Sequence, residues 1–219
     1  MIPGEFCGLA WAIQGRNIVT ARFSRDQLLR RGAASGGALV LSGSALGVFA
    51  GAASAATLPD GDLAYLRLLV AAELLAADFQ AQALRSGKLG RSHAALVRRM
   101  AADEKAHYGG LAELLNDAGQ VPATAADIDF SYPKGSFESA RAIMKLASRI
   151  EALTLGAYLG AVENVQTPAI RLPIGQIVAN EAQHVGALAA AVGRPVIGRA
   201  FAPALQIDAA SAALSAFES

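Results

Sequence analysis

Two short segments of the sequence carry the same pair of side chains, a glutamate followed three residues later by a histidine. The pairs are Glu104 with His107 and Glu181 with His184, within the similar segments ADEKAHYGGLA and ANEAQHVGALA. Residues three apart share one face of an α-helix, so each pair can direct both side chains at one object. Each motif alone predicts metal binding only weakly, because motifs this short are common.

Two further glutamates complete a repeating pattern. Glu73 precedes Glu104 by 31 residues, and Glu151 precedes Glu181 by 30 residues. Corresponding positions of the two halves are 77 or 78 residues apart, and the two histidines are 77 apart. This regularity indicates a duplicated helix hairpin in which each copy supplies one glutamate and one Glu-x-x-His motif.

The elements that must position these side chains are helices. Alanine-rich segments with apolar residues at helical spacing predict an all-α fold, and no segment shows the alternation typical of a strand. The predicted helices span residues 62–86, 92–118, 136–164 and 168–192, with a weaker fifth pattern from 204 to 217.

The connections between the predicted helices indicate how they pack. About five residues join the first helix to the second and the third to the fourth, whereas Gly119 to Gly135 separates the second from the third. Short loops give antiparallel neighbours, and a long connection can cross the bundle and make helices two and three parallel. We therefore predict a four-helix bundle of two hairpins joined by a long crossover.

All four glutamates interrupt the apolar stripes of their helices. Buried ionised carboxylates cost several kcal/mol each without compensating charge, and the stripes carry no matching number of Lys or Arg. A glutamate at a bundle end and a histidine packed in the core are the ordinary alternatives for any one of these residues. Two divalent cations would compensate the whole set, and oxygen ligands with two imidazoles suit iron or manganese.

Composition excludes several other kinds of protein. The 219 residues carry a net charge of +1, which argues against a nucleic-acid-binding surface. The single Cys excludes disulfide scaffolds, CxxC redox pairs and thiolate zinc sites.

Over residues 62–192 the sequence resembles the ferritin-like superfamily of di-iron carboxylate proteins. Members of that superfamily take one Glu from each of two helices and Glu-x-x-His from the other two. The resemblance implies a site of two iron ions, with manganese as the alternative, and no catalytic residue beyond the metal centre. It implies that Glu104 and Glu181 bridge the metals, while Glu73 with His107 and Glu151 with His184 are terminal ligands.

Three neighbouring residues are candidates for supporting the ligands. By the same resemblance, Asp103 would hold a ligand histidine and so fix its tautomer. Asn180 occupies the equivalent position in the second half, which predicts either unequal metal positions or one less supported histidine. Tyr158, seven residues after Glu151, could border the site, although ordinary packing is the favoured interpretation for Tyr158 and Tyr108.

The first 55 residues have the order of an export signal. Arginines precede an uncharged run from Gly32 to Pro59, and the small residues Ala53-Ser54-Ala55 suit a cleavage site. Arg30-Arg31 and the segment SRDQLL resemble a twin-arginine signal, although Asp26 stands where that signal carries its second Arg. A membrane anchor is the alternative, but the Gly and Ser content disfavours a permanent span. We expect an extracytoplasmic protein whose bundle domain covers residues 56–219, like the exported bacterial ferritin-like domain proteins.

These observations leave three functional hypotheses. The first is a ferroxidase or small oxidase that binds Fe(II) and reacts with oxygen or peroxide. The second is a stress-protection or binding protein in which the metal is structural. Iron storage in a cage is the weakest, and we expect a monomer or dimer.

Overall fold

The computed structural model describes residues 58–218, so the predicted export signal lies outside the described residues. Within this range the chain forms five α-helices and no strand, with one isolated β-bridge between Phe130 and Glu218. The helices are α1 Asp60–Arg85, α2 Arg91–Asp117, α3 Ala140–Asn164, α4 Pro168–Ala191 and α5 Ile207–Ser215. The prediction of an all-α fold is confirmed, including the short fifth helix.

The start of the third helix was predicted four residues too early. Ser136 donates its hydroxyl hydrogen to the Pro133 carbonyl and belongs to a turn. Ser139 instead caps the helix, because its side-chain oxygen accepts a hydrogen bond from the Ala142 amide at 3.2 Å. Both serines suit an N-cap by type, and the preceding turn decides between them.

The helices pack as two hairpins, α1 with α2 and α3 with α4. α1 also packs against α3, and α2 packs against α4. Asp62 at the start of α1 accepts hydrogen bonds from the amides of Gln166 and Thr167, just beyond the end of α3, at 2.7 and 2.9 Å. α1 and α3 are therefore antiparallel, so α2 and α3 run parallel, as predicted.

The crossover, residues 118–139, extends along α1. Near its start, the Arg67 guanidinium donates to the Gln120 side chain at 2.5 Å. Farther along, the rings of Tyr132 and Phe79 lie 5.4 Å apart between centroids. These contacts lie about three helical turns apart on α1. The long connection thus links opposite ends of the bundle.

The C-terminal segment covers the outside of α1 and α3. A Cβ atom added to Gly160 would lie 1.9 Å from the Leu205 carbonyl oxygen, so only glycine permits this approach. The Leu205 amide donates to the Gly156 carbonyl at 2.8 Å. Across residues 58–218, no helix has the length and apolar character needed to cross a membrane.

Candidate metal centre

The four bundle helices bring all six predicted ligand side chains into one buried cluster. The four glutamates are at most 1% exposed, and both histidines are largely buried. The cluster consists of Glu73 from α1, Glu104 and His107 from α2, Glu151 from α3, and Glu181 and His184 from α4.

The cluster divides into two overlapping groups, and within each group the potential ligand atoms lie within 4.8 Å of one another. Glu73 and His107 belong only to the first group, and Glu151 and His184 belong only to the second. Glu104 and Glu181 are common to both groups. Each group could therefore hold a metal ion, and the two groups have two carboxylates in common.

The Nδ1 atom of His107 faces three carboxylates from different helices. It lies 3.0 Å from Glu181 Oε1, 3.2 Å from Glu104 Oε2 and 3.6 Å from Glu73 Oε2. Three acceptors around one imidazole nitrogen place that nitrogen at the centre of the first group. The same atom would be the ligand atom if an ion took the place of a proton.

The Nδ1 atom of His184 has the corresponding position in the second group. It lies 3.3 Å from Glu104 Oε1, 3.4 Å from Glu151 Oε2 and 3.7 Å from Glu181 Oε2. The centroids of the two imidazole rings are 6.1 Å apart. The two halves thus present the same ligand atoms to one shared cavity.

Without a metal, the cluster must hold protons. Burial raises the pKa of Glu73 to about 8 and raises that of Glu151 well above its ordinary value. Burial alone would also raise the pKa of Glu104, but the two histidines beside it lower it to about 2. Burial lowers the pKa of His107, yet the surrounding carboxylates raise it to about 12, and that of His184 rises for the same reason.

Several buried polar atoms of the cluster make no hydrogen bond. Both carboxylate oxygens of Glu181, Oε2 of Glu73, Oε2 of Glu151 and Nδ1 of His184 lack a partner of acceptable geometry. Native proteins rarely leave so many buried polar atoms unpaired. Divalent cations would satisfy these oxygens and the nitrogen together, so the donor set fits the ions that the sequence predicted.

Gln80 joins the site and was missed in the sequence analysis. Its side chain is 1% exposed, and Nε2 donates to Glu104 Oε1 and to Glu151 Oε1, both at 2.9 Å. Gln80 lies seven residues after Glu73, on the same face of α1. The available signal was a polar residue on an apolar stripe, seven residues after a ligand glutamate. Tyr158 has the same position relative to Glu151.

Tyr158 is more than a packing residue. Its hydroxyl donates a short hydrogen bond to Glu73 Oε1, and the side chain is fully buried. The packing interpretation is therefore wrong for Tyr158. It holds for Tyr108, whose hydroxyl donates to the Ala123 carbonyl at 3.0 Å, outside the cluster.

Asp103 and Asn180 differ in their surroundings. Oδ2 of Asp103 lies 3.4 Å from Nε2 of His184, the nitrogen that does not face the carboxylates, and 3.1 Å from Nε of Arg99. Oδ1 of Asn180 is buried and has no hydrogen-bond partner. Within residues 58–218, Nε2 of His107 also has no hydrogen-bond partner. Asp103 thus orients the histidine of the opposite hairpin, and no equivalent contact supports His107.

Comparison with known proteins agrees with this geometry. The ferritin-like domain family matches residues 61–194, which is more than half of the chain. No curated protein sequence matches the chain. The matched range begins and ends within three residues of the outer limits of the four-helix bundle and includes every member of the buried cluster.

Proposed function

Because the chain belongs to the ferritin-like domain family, we propose that its buried cluster binds two iron ions and reacts with oxygen or peroxide. One observation carries this proposal. Two ligand groups share Glu104 and Glu181, so a pair of ions would lie close enough to act together. An iron pair bound there would supply electrons to reduce oxygen or peroxide, while oxidised iron would be the product of a ferroxidase.

The protein's own contribution is to hold the ligands and exclude water. Nδ1 of each histidine is directed into the shared cavity, and the four carboxylates converge on it from four helices. Gln80 fixes one oxygen each of Glu104 and Glu151, and the Tyr158 hydroxyl holds a proton against Glu73. Because the ligands are nearly fully buried, only a small oxidant such as oxygen or peroxide could reach them.

The test is anaerobic titration with Fe(II), followed by exposure to air with an oxygen electrode. We expect about two Fe(II) bound per chain and oxygen consumption that depends on bound iron. Glu181→Ala should lower binding to less than one Fe(II) per chain and abolish the oxygen consumption, whereas Glu138→Ala, a change at an exposed glutamate outside the cluster, should affect neither. Failure of the wild-type protein to bind Fe(II) would contradict the proposal.

The same titration separates the catalytic proposal from a structural role. If iron or manganese raises the melting temperature but no oxygen is consumed, the result favours a protective or binding protein with structural metal. Parallel titration with Mn(II) ranks the two metals, since the ligand types suit both.

We also propose that the bundle is exported by the twin-arginine route and acts outside the cytoplasm. The support is the order of charged, apolar and small residues within positions 1–55. A fusion of this segment to a reporter should be exported, and Arg30→Lys with Arg31→Lys should block export. Retention of the unaltered fusion in the cytoplasm would contradict the proposal.

A monomer or dimer remains our prediction for the assembly. Size-exclusion chromatography with light scattering of the purified protein tests it directly. A mass of twelve or more chains would instead support storage in a cage.

A further inference from the structure

A basic cleft lies apart from the metal centre, where the starts of α2 and α3 meet the end of α4. It has a volume of about 670 Å³, within the ordinary range for small-molecule sites. Its lining includes four cationic side chains and no carboxylate. The residues that matter here are His93, Arg141, Met144, Lys145, Arg149 and Arg194.

Three of the cations follow one face of α3. Arg141, Lys145 and Arg149 are spaced four residues apart, and all three are exposed. Like charges at this spacing destabilise a helix. Within residues 58–218 none of the three forms an ion pair that would relieve the repulsion. A bound anion would relieve it.

The fourth cation approaches from beyond α4. The Arg194 guanidinium donates a short hydrogen bond to the Ser148 hydroxyl of α3, and the Arg194 amide donates to the Ala189 carbonyl at 2.8 Å. These contacts hold the guanidinium against the α3 side of the cleft. A guanidinium fixed in this way can contact phosphate or carboxylate through two parallel hydrogen bonds.

Apart from His93, the rest of the lining is apolar. Met144 is 1% exposed, whereas Ala191 and Val192 on the α4 side are half-buried and present apolar surface to the cleft. The N-terminal ends of α2 and α3, near His93 and Ala140, add partial positive charge, which the C-terminal end of α4 near Ala191 offsets in part. An apolar surface beside four cations, one of which is held in place, suits an organic anion better than a bare inorganic ion.

We propose that this cleft binds a small organic anion. Phosphate or carboxylate groups of the ligand contact Arg141, Lys145, Arg149 and Arg194, and its carbon body lies on Ala191 and Val192. The site is separate from the metal proposal, because none of its lining residues belongs to the buried cluster.

Isothermal titration calorimetry with three probes tests the proposal on the purified protein. The probes are phenyl phosphate, benzene-1,3-dicarboxylate and inorganic phosphate, all at constant ionic strength, and the two aromatic anions carry about the same charge at neutral pH. We expect both aromatic anions to bind more tightly than inorganic phosphate. The stronger of the two distinguishes a phosphate ligand from a carboxylate ligand.

A matched pair of double variants identifies the location. Lys145→Glu with Arg149→Glu should weaken binding of the aromatic anions at least tenfold. Arg85→Glu with Arg98→Glu makes the same charge change at exposed positions outside the cleft lining and should alter binding less than threefold. Equal losses in both double variants, or no binding of any probe to the wild type at millimolar concentration, would overturn the proposal.

Discussion

The α1–α2 and α3–α4 hairpins present the same ligands to the centre of the bundle but support them differently. Each hairpin supplies one glutamate and one Glu-x-x-His motif. At equivalent positions, however, Gln80 in the first corresponds to Tyr158 in the second, and Asp103 corresponds to Asn180. The repeat is symmetric in the residues that face the cavity and asymmetric in the residues behind them.

This asymmetry predicts two unequal metal positions. Asp103 contacts the second nitrogen of His184, and Gln80 fixes an oxygen of Glu151, so the second group has two supporting contacts. The first group has the Tyr158 hydroxyl on Glu73, and Nε2 of His107 has no partner within residues 58–218. Contacts of this kind orient ligands and raise affinity. We expect the Glu151–His184 group to fill first.

The largest effect should come from the residues that both groups share. Glu104→Ala or Glu181→Ala removes a ligand from each group at once. We expect metal content measured by equilibrium dialysis to fall from two ions per chain to less than one. The exposed Glu138→Ala serves as the control. If either cluster variant still held two ions, the shared role of that carboxylate would be wrong.

Removal of one histidine should affect only one of the two ligand groups. His107→Ala should lose the ion of the first group, and His184→Ala should lose that of the second, because each contributes to one group only. Dialysis should then find about one ion per chain in each variant. The remaining ion should bind more tightly in His107→Ala. The reverse order of affinities would contradict the proposed difference between the halves.

Stability of the metal-free protein should fall as pH rises. The folded-state pKa of Glu73, about 8, and that of His107, about 12, lie above their unfolded values, so the folded state holds extra protons. Between pH 6.5 and 8 each extra proton lowers the free energy of unfolding by about 1.4 kcal/mol per pH unit. Glu104, with its folded-state pKa of about 2, acts in the opposite direction. Its contribution to the stability of the fold is lost only as pH falls below its unfolded pKa of about 4.5.

Urea unfolding of the metal-free protein at pH 5, 6.5 and 8 measures this dependence. We expect the highest stability at pH 5. Metal binding should release protons at pH 7, since ions replace protons on histidine and carboxylate ligands. Stability that rises from pH 5 to pH 8 without metal would show that the cluster is not protonated as described.

The smallest effects should come from the supporting residues. Asp103→Asn removes the anionic partner of His184 and should weaken the second group by about 10- to 100-fold. Asn180→Asp should change the affinity of the second group much less, although both variants alter one charge. Competition with a chromophoric chelator measures both. Equal effects of the two variants would contradict the proposed difference between the halves.

Much of the fold could be predicted because its signals are local or periodic. Helical spacing and the short, long, short connections indicated the bundle, and the 77-residue offset indicated the duplicated ligands. The start of α3 could not be predicted, since Ser136 and Ser139 are both suitable caps and a turn at Pro133 occupies the first. Residue type allows either serine to cap the helix, and the path of the crossover determines that Ser139 does so.

The supporting contacts were harder to predict because they cross between helices. Asp103 precedes Glu104 in sequence, yet it supports the histidine of the opposite hairpin. Gln80 bonds to carboxylates on two other helices. Such pairings depend on the rotation of each helix in the bundle, which periodicity determines only approximately. The basic cleft was likewise not predicted, since α2, α3 and α4 meet there only in the folded chain.

The central claim is that the six residues hold two ions that share Glu104 and Glu181. A crystal structure of the Fe(II)-loaded protein, with anomalous data collected at the iron edge, tests it most directly. We predict two anomalous peaks, one beside Nδ1 of His107 and one beside Nδ1 of His184, with both glutamates between them. A single peak, no peak in the cluster, or peaks outside it would contradict the claim.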